Sequence, residues 1–202
     1  DPGYLQPETR EQDGGYGWIF KRVLKYTHST IPEIRRAPKP FIAAVDGPAA
    51  AGGFGIAMSC DLVVASERAG FEWAYLKTGL TGAESSTFFL PRLLGLRKAL
   101  ELVLLNPRLT AADALQWGLI NRVVPDGSLD SEALKMATEL ANAPTAAVAA
   151  AKNLLNQAAG MERLDVHLDA ELTELARIAD GPNFAEGLAA FFGKRAPEFE
   201  SE

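Results

Sequence analysis

The stretch "VDGPAAAGGFGIAMSCDLVV", from Val45 to Val64, constrains the fold of this chain more than any other. An Asp-Gly turn leads into small residues, Gly52 and Gly53 open an apolar helix, and Cys60-Asp61 closes it ahead of a Val-rich strand. Strand, turn, helix and strand in so short a span call for layered α/β packing. A helix N-terminus presents unpaired backbone N–H groups and the positive end of the helix dipole. Glycines there let a ligand oxygen approach the main chain without meeting a Cβ. Donors fixed in this way stabilise an oxyanion and contribute roughly 3–4 kcal/mol each to a transition state. Gly52, Gly53 and Gly55 equally suit tight packing of the helix on a strand, and the local sequence leaves both readings open. A nucleotide-phosphate loop is disfavoured, because neither G-x-G-x-x-G nor G-x-x-x-x-G-K-[ST] occurs here.

The chain has 202 residues, enough for one full-sized domain with a substantial core. Its net charge of -6 argues against a nucleic-acid surface, which shows basic patches or stripes. One cysteine cannot form an internal disulfide, so nothing points to an oxidising compartment. No apolar run is long enough to span a bilayer, and a cytoplasmic location is expected. Two separated histidines without clustered cysteines or acids give no metal site.

"DPGYLQPETREQDGGYGW" is rich in Gly, Pro and charge and reads as loop or mobile segment. From Ile19 to about Arg36, Ile19, Val23, Tyr26, Ile31 and Ile34 recur at helical spacing, and Pro32 is expected to interrupt the helix. "KPFIAAVDG" reads as a buried strand with its exit turn, followed by the strands Asp61–Ser66 and Gly70–Tyr75. The last of these alternates, with Phe71, Trp73 and Tyr75 on one face and Glu72 and Ala74 on the other. Helices are predicted over Ser85–Leu94, Leu96–Leu105, Ala111–Trp117, Asp130–Ala141, Thr145–Ala159, Met161–Ala179 and Asn183–Phe192. Thr110 with Asp113 resembles a capping arrangement, and Gly118 suits the left-handed residue that ends a helix. Three segments follow: a loop and helix at 1–36, a core with the site at 37–129, and a helical region at 130–202.

Three ordered motifs carry a family resemblance. "PKPFIAAVDGPAAAGGFGIAMSCDLVVASERAGFEWA" is similar to the central signature of the crotonase (enoyl-CoA hydratase/isomerase) superfamily. "GLTGAESSTFFLPRLLGLRKALELVLLNPRLTAADALQWGLINRVVP" continues it, and "NFAEGLAAFFGKRAPEF" resembles the family's ending, so Pro38 to Phe199 are covered. The resemblance implies an α/β spiral of β-β-α units with a helical C-terminal trimerisation region. It also implies an acyl-CoA substrate, with coenzyme A as part of that substrate and no separate cofactor. Homotrimers or hexamers are expected, and no membrane or nucleic-acid partner. The shared chemistry is stabilisation of a thioester enolate by two backbone N–H groups. One donor maps onto Gly52, flanked by Ala51 and Gly53 as substrate-binding positions; Ala51 departs from the family's glycine triplet. The second donor belongs to a segment ending in A-G-x-D, of which Asp1 reads as the last residue, so that the first third of a family member would be missing.

The departures bear on mechanism. Hydratases of the family use two glutamates to move protons between water and substrate. Those positions align with Gly55 and Tyr75, and neither can replace a carboxylate: tyrosine, with a pKa of about 10, is a poor base at neutral pH but a hydrogen-bond donor. Some relatives carry an aspartate that aligns with Ala83, and the adjacent Glu84 is the only nearby candidate acid or base. Its other reading is a glutamate placed at a helix start to favour the dipole. Tyr75 and Trp73 share a strand face and are candidates to contact substrate, while Trp73 and Trp117 also suit the core. Lys194, with Arg195, is a candidate for the CoA phosphates or a solvated charge pair. His28 and His167 read as surface histidines, Cys60 as a buried inert thiol, and Asp61 as a residue that caps or hydrogen-bonds locally. The stripe Leu164, Leu168, Leu172 and Leu175, with Phe191-Phe192, suits either a subunit interface or the chain's own core. Two functions remain: an acyl-CoA enzyme that is not an efficient simple hydratase, or a non-catalytic acyl-CoA-binding or assembly protein of the same fold.

Overall fold

A computed structural model describes residues 15–200; Asp1 and most of the opening loop lie outside the described residues. Helix α1 (Tyr16–Arg36) is followed by β1 (Ile42–Val45), β2 (Pro48–Ala50), α2 (Gly52–Ser59), β3 (Leu62–Ser66) and β4 (Gly70–Glu72). A 3-10 turn at Tyr75–Thr78 leads to α3 (Ser86–Leu94) and α4 (Leu96–Leu105). The remainder comprises β5 (Leu109–Thr110), α5 (Ala111–Trp117), β6 (Arg122–Val124), α6 (Leu129–Ala141), α7 (Thr145–Ala158), α8 (Leu164–Ala179) and α9 (Pro182–Gly193).

The six strands come in three consecutive pairs, each contributing one strand to each of two sheets. β1, β3 and β6 form one parallel sheet, while β2 pairs parallel with β4 and β4 antiparallel with β5 in the other. Each β-β step therefore adds one strand to each layer, which is the spiral the family resemblance implied. β2, β5 and β6 were not foreseen, because strands of two or three residues show too little alternation to register as period-2 pattern. β4 stops at Glu72 rather than Tyr75, since Ala74 takes the left-handed conformation (φ 65°) and turns the chain away. The Thr110–Asp113 capping box forms with both reciprocal bonds, and Gly118 ends α5 at φ 81°.

Pro32 does not break α1: the helix runs through it. Pro32 and Ile31 are buried, and packing of α1 on α8 outweighs the lost backbone hydrogen bond. The buried face is Tyr16, Ile19, Phe20, Leu24, Ile31 and Ile34, whereas Val23 and Tyr26 are exposed. Tyr16 and Phe20 pack edge-on against Phe184 of α9, with ring centroids 4.9 and 5.5 Å apart. Leu164, Leu168 and Leu175 are buried in the chain's own core, which favours the core reading of that stripe; Phe191 and Phe192 stay exposed. Asp61 is no local cap. It accepts from Arg35 Nη1 (2.9 Å), the Phe41 amide (2.8 Å) and Lys152 Nζ (2.8 Å), tying α1, β1 and α7 together. Cys60 is half-buried, and burial raises its thiol pKa.

Candidate active site

Helix α2 begins where the sequence placed its glycines. The Gly55 N–H makes the first helical bond, to the Ala51 carbonyl at 3.0 Å, which leaves the Gly52 and Gly53 amides outside the ladder. Ala51 sits at φ 46°, a strained value for a residue with a side chain, and its own amide donates to the Glu72 carbonyl at 3.2 Å. A methyl group on Gly52 would lie 3.0 Å from Glu84 Oε1. One on Gly55 would lie 2.8 Å from Glu84 Cβ and nearer still to the Glu84 carbonyl oxygen. A side chain at Gly55 would collide with the Glu84 backbone, and one at Gly52 would press on the Glu84 carboxyl. The family position that aligns with Gly55 is occupied in space by the backbone of a different acid.

Glu84 and Ser85 precede α3 at φ 48° and 61°, two consecutive left-handed residues. That geometry directs the Glu84 side chain inward: it is 8 % exposed, and Tyr75 Oη donates to its Oε2. Burial pushes the Glu84 carboxyl up to about 7, against the lowering effect of the Tyr75 hydrogen bond. Burial first, and the Glu84 charge second, push the Tyr75 phenol well above its ordinary value, so Tyr75 is a donor at neutral pH. The Glu84 carboxyl points to Gly52 and Tyr75, at the start of α2, while Glu171 rather than Glu84 meets the α3 amides.

These groups face a cavity of about 420 Å³. Ala51, Gly52, Tyr75, Ala83 and Glu84 line one side, and Phe20, Leu24, Leu175, Phe184, Leu188 and Phe191 supply an apolar wall from α1, α8 and α9. Three expected contacts are corrected. Gly53 points to solvent with open space around it. Trp73 is 1 % exposed, donates through Nε1 to Ser86 Oγ at 3.1 Å and packs on Tyr75, so it supports the wall from behind. Lys194 is exposed past the end of α9, outside the cavity lining, and Arg195 is bound to Glu186.

Three residues were missed. Glu72 lines the cavity despite its assignment to the opposite face, and is ion-paired with Lys77. His28 is no surface histidine: its Nε2 accepts the Glu84 amide at 3.2 Å, and burial holds its pKa below the ordinary value. Glu171 of α8 is buried and accepts the Ser85 and Thr87 amides. His167 is half-exposed and bonded to Thr87 Oγ1 at 2.8 Å. Among the described residues, no cluster of His, Cys, Asp and Glu could hold a metal, and no helix is long and apolar enough to cross a membrane.

Comparison with known proteins agrees with this architecture. The family model described as enoyl-CoA hydratase/isomerase matches residues 21–202. The chain is 37 % identical over 175 residues to 4-chlorobenzoyl coenzyme A dehalogenase-1 of Arthrobacter sp, covering 87 % of this chain and 63 % of that protein. It is 35 % identical over 177 residues to the 1,2-epoxyphenylacetyl-CoA isomerase of Escherichia coli (strain K12), covering 88 % of this chain and 67 % of the relative. The chain thus spans about two thirds of the length of these curated relatives. A crystal structure of an enoyl-CoA hydratase from Mycobacterium avium subsp. paratuberculosis K-10 superposes with a TM-score of 0.85 at 34 % identity, over 90 % of this chain and 74 % of that one. By sequence motifs, family match and fold alike, this chain belongs to the crotonase (enoyl-CoA hydratase/isomerase) superfamily.

Proposed function

We propose that the protein is an acyl-CoA enzyme in which the Gly52 amide is one donor of a backbone oxyanion hole and Glu84 is the single acid–base group. The observation that carries this reading is the buried Glu84 carboxyl, set against Gly52 at the cavity wall and held by the Tyr75 hydroxyl. A thioester carbonyl at the Gly52 N–H would place its α-carbon within the same cavity. Ionised Glu84 takes the α-proton, the C–H electron pair moves onto the thioester oxygen, and the amide stabilises the resulting enolate. Return of that proton to the same or another carbon leaves Glu84 ionised again. Isomerisation or α-proton exchange needs only one such group. Hydration needs one to activate water and one to protonate carbon; the other carboxylate lining the cavity, Glu72, is ion-paired with Lys77.

The names of the relatives, a dehalogenase and an isomerase acting on CoA thioesters, support the substrate class and the spread of reactions. Coenzyme A enters only as part of the substrate, in a cytoplasmic protein. Incubated in D2O with butyryl-CoA, the full-length protein should exchange the α-protons, while crotonyl-CoA hydration should stay near background. Rapid hydration would overturn the single-base reading, and calorimetric binding without exchange would favour a non-catalytic binder.

The assembly is proposed as a homotrimer or hexamer. Its support is the row Leu96, Leu100, Leu104 and Leu105 on α4, which is 45–75 % exposed. Light scattering should give a trimeric or hexameric mass, and a monomer would refute the assignment.

A further inference from the structure

We propose that Glu171 is a positioning residue for Glu84: from α8 its carboxylate gathers the first amides of α3 and fixes the turn that carries the Glu84 side chain to Gly52. The proposal rests on Glu84 being the acid–base group.

The turn needs an outside hold. Ser85 is the residue at the start of α3, and serine is a favoured cap when its backbone is extended. Here Ser85 is left-handed, α3 has no cap from its own side chain, and the Ser85 hydroxyl donates back to the Glu84 carbonyl at 2.5 Å. Left-handed conformations are unfavourable for residues with a Cβ, and two in succession do not persist without support. Glu171 supplies it. Its Oε2 accepts the Ser85 N–H at 2.8 Å, and its Oε1 accepts the Thr87 N–H at 3.0 Å and the Thr87 hydroxyl. His28 completes the cradle by accepting the Glu84 N–H. A carboxylate only 6 % exposed is unfavourable unless its oxygens are bonded, and these bonds go to the turn.

Glu171 also acts through charge. The groups facing Glu84 are Tyr75 from the 3-10 turn, His28 from α1 and Glu171 from α8; Glu171 and Asp169 in turn face His28. Glu171 adds to the rise in the Glu84 pKa that burial causes, and supports the protonation of His28 against burial.

The test compares full-length wild type, Glu171→Gln, Glu171→Ala and Glu84→Gln, with butyryl-CoA α-proton exchange as the activity. Glu171→Gln keeps the volume and one acceptor oxygen but removes the charge. Its Ser85 and Thr87 amides should exchange with deuterium at least ~10-fold faster, as expected for the loss of a charge-assisted hydrogen bond. The pH midpoint of its activity should fall below that of wild type, with kcat reduced and KM little changed. Glu171→Ala should show both effects more strongly. Wild-type protection and midpoint in both Glu171 variants, beside an inactive Glu84→Gln, would overturn the proposal. A uniform loss of activity at an unchanged midpoint would reduce Glu171 to a scaffold residue and overturn it as well. Activity retained in Glu84→Gln would instead locate the failure in the acid–base assignment, and the proposal would fall with it.

Discussion

Glu84→Gln should lower α-proton exchange of butyryl-CoA by ~10²–10⁴-fold, the range for loss of one positioned acid–base group. Glutamine keeps the shape and an oxygen for the Tyr75 hydroxyl but cannot take a proton. Because the Glu84 carboxyl is held at about 7 and must be ionised to act as base, wild-type activity should rise as pH passes through that value. Tyr75→Phe removes the bond that lowers this pKa, so its profile should move to higher pH and its rate should drop. Stability has the opposite sign. The folded protein keeps a proton on Glu84 that the unfolded chain, with an ordinary carboxyl near 4.5, has already released. Native stability therefore declines as pH rises from about 4.5 to about 7, and the penalty is complete above that window. Thermal unfolding should show Glu84→Gln gaining on wild type across that interval; a constant difference would mean that Glu84 titrates normally.

Gly52→Val should abolish binding of butyryl-CoA, whereas Gly53→Ala should leave the affinity unchanged. The two positions are neighbours in sequence but differ in what a side chain meets. At Gly52 the first added carbon already approaches the Glu84 carboxyl, at 3.0 Å from Oε1 and 3.1 Å from Cδ, and a branched residue must also fill the space before the amide. At Gly53 nothing lies within 4 Å, and alanine is the better helix former. Titration calorimetry decides the matter: equal affinity for wild type and Gly52→Val would remove Gly52 from the oxyanion hole. The same reasoning predicts that a glutamate at Gly55 cannot restore a hydratase pair, since the Glu84 backbone fills the space it would need.

What could be read from sequence was local. Gly52 at the start of α2, the Thr110–Asp113 box and the bounds of α4 and α5 each depend on a few adjacent residues, and all appear as expected. Tyr75 and Glu84 were separate candidates, and only the fold shows that they bond each other. Their supports were not legible. Glu171 lies 86 residues from Ser85 and 84 from Thr87, and His28 lies 56 from Glu84, so no periodicity or spacing connects them. Glu72 was misplaced for a different reason. Alternation assumes that the strand continues, and β4 ends at the residue in question. Pro32 shows the limit of propensity, which assigns a break that the packing of α1 against α8 overrides.

The left-handed residues around the cavity also determine which substitutions this site can absorb. Ala51, Ala74, Glu84 and Ser85 all have positive φ, yet none is glycine. In a saturation library screened for folding alone they would be filtered like glycines: Gly would persist at each, Asn and Asp also at Ala74 and Ser85, and β-branched residues would be purged even where space is free. Glycine would relieve the native chain but enlarge the freedom of the unfolded one, so the two effects offset. The cavity is thereby insulated from gradual side-chain drift, and its chemistry changes chiefly through replacements that also re-form its backbone.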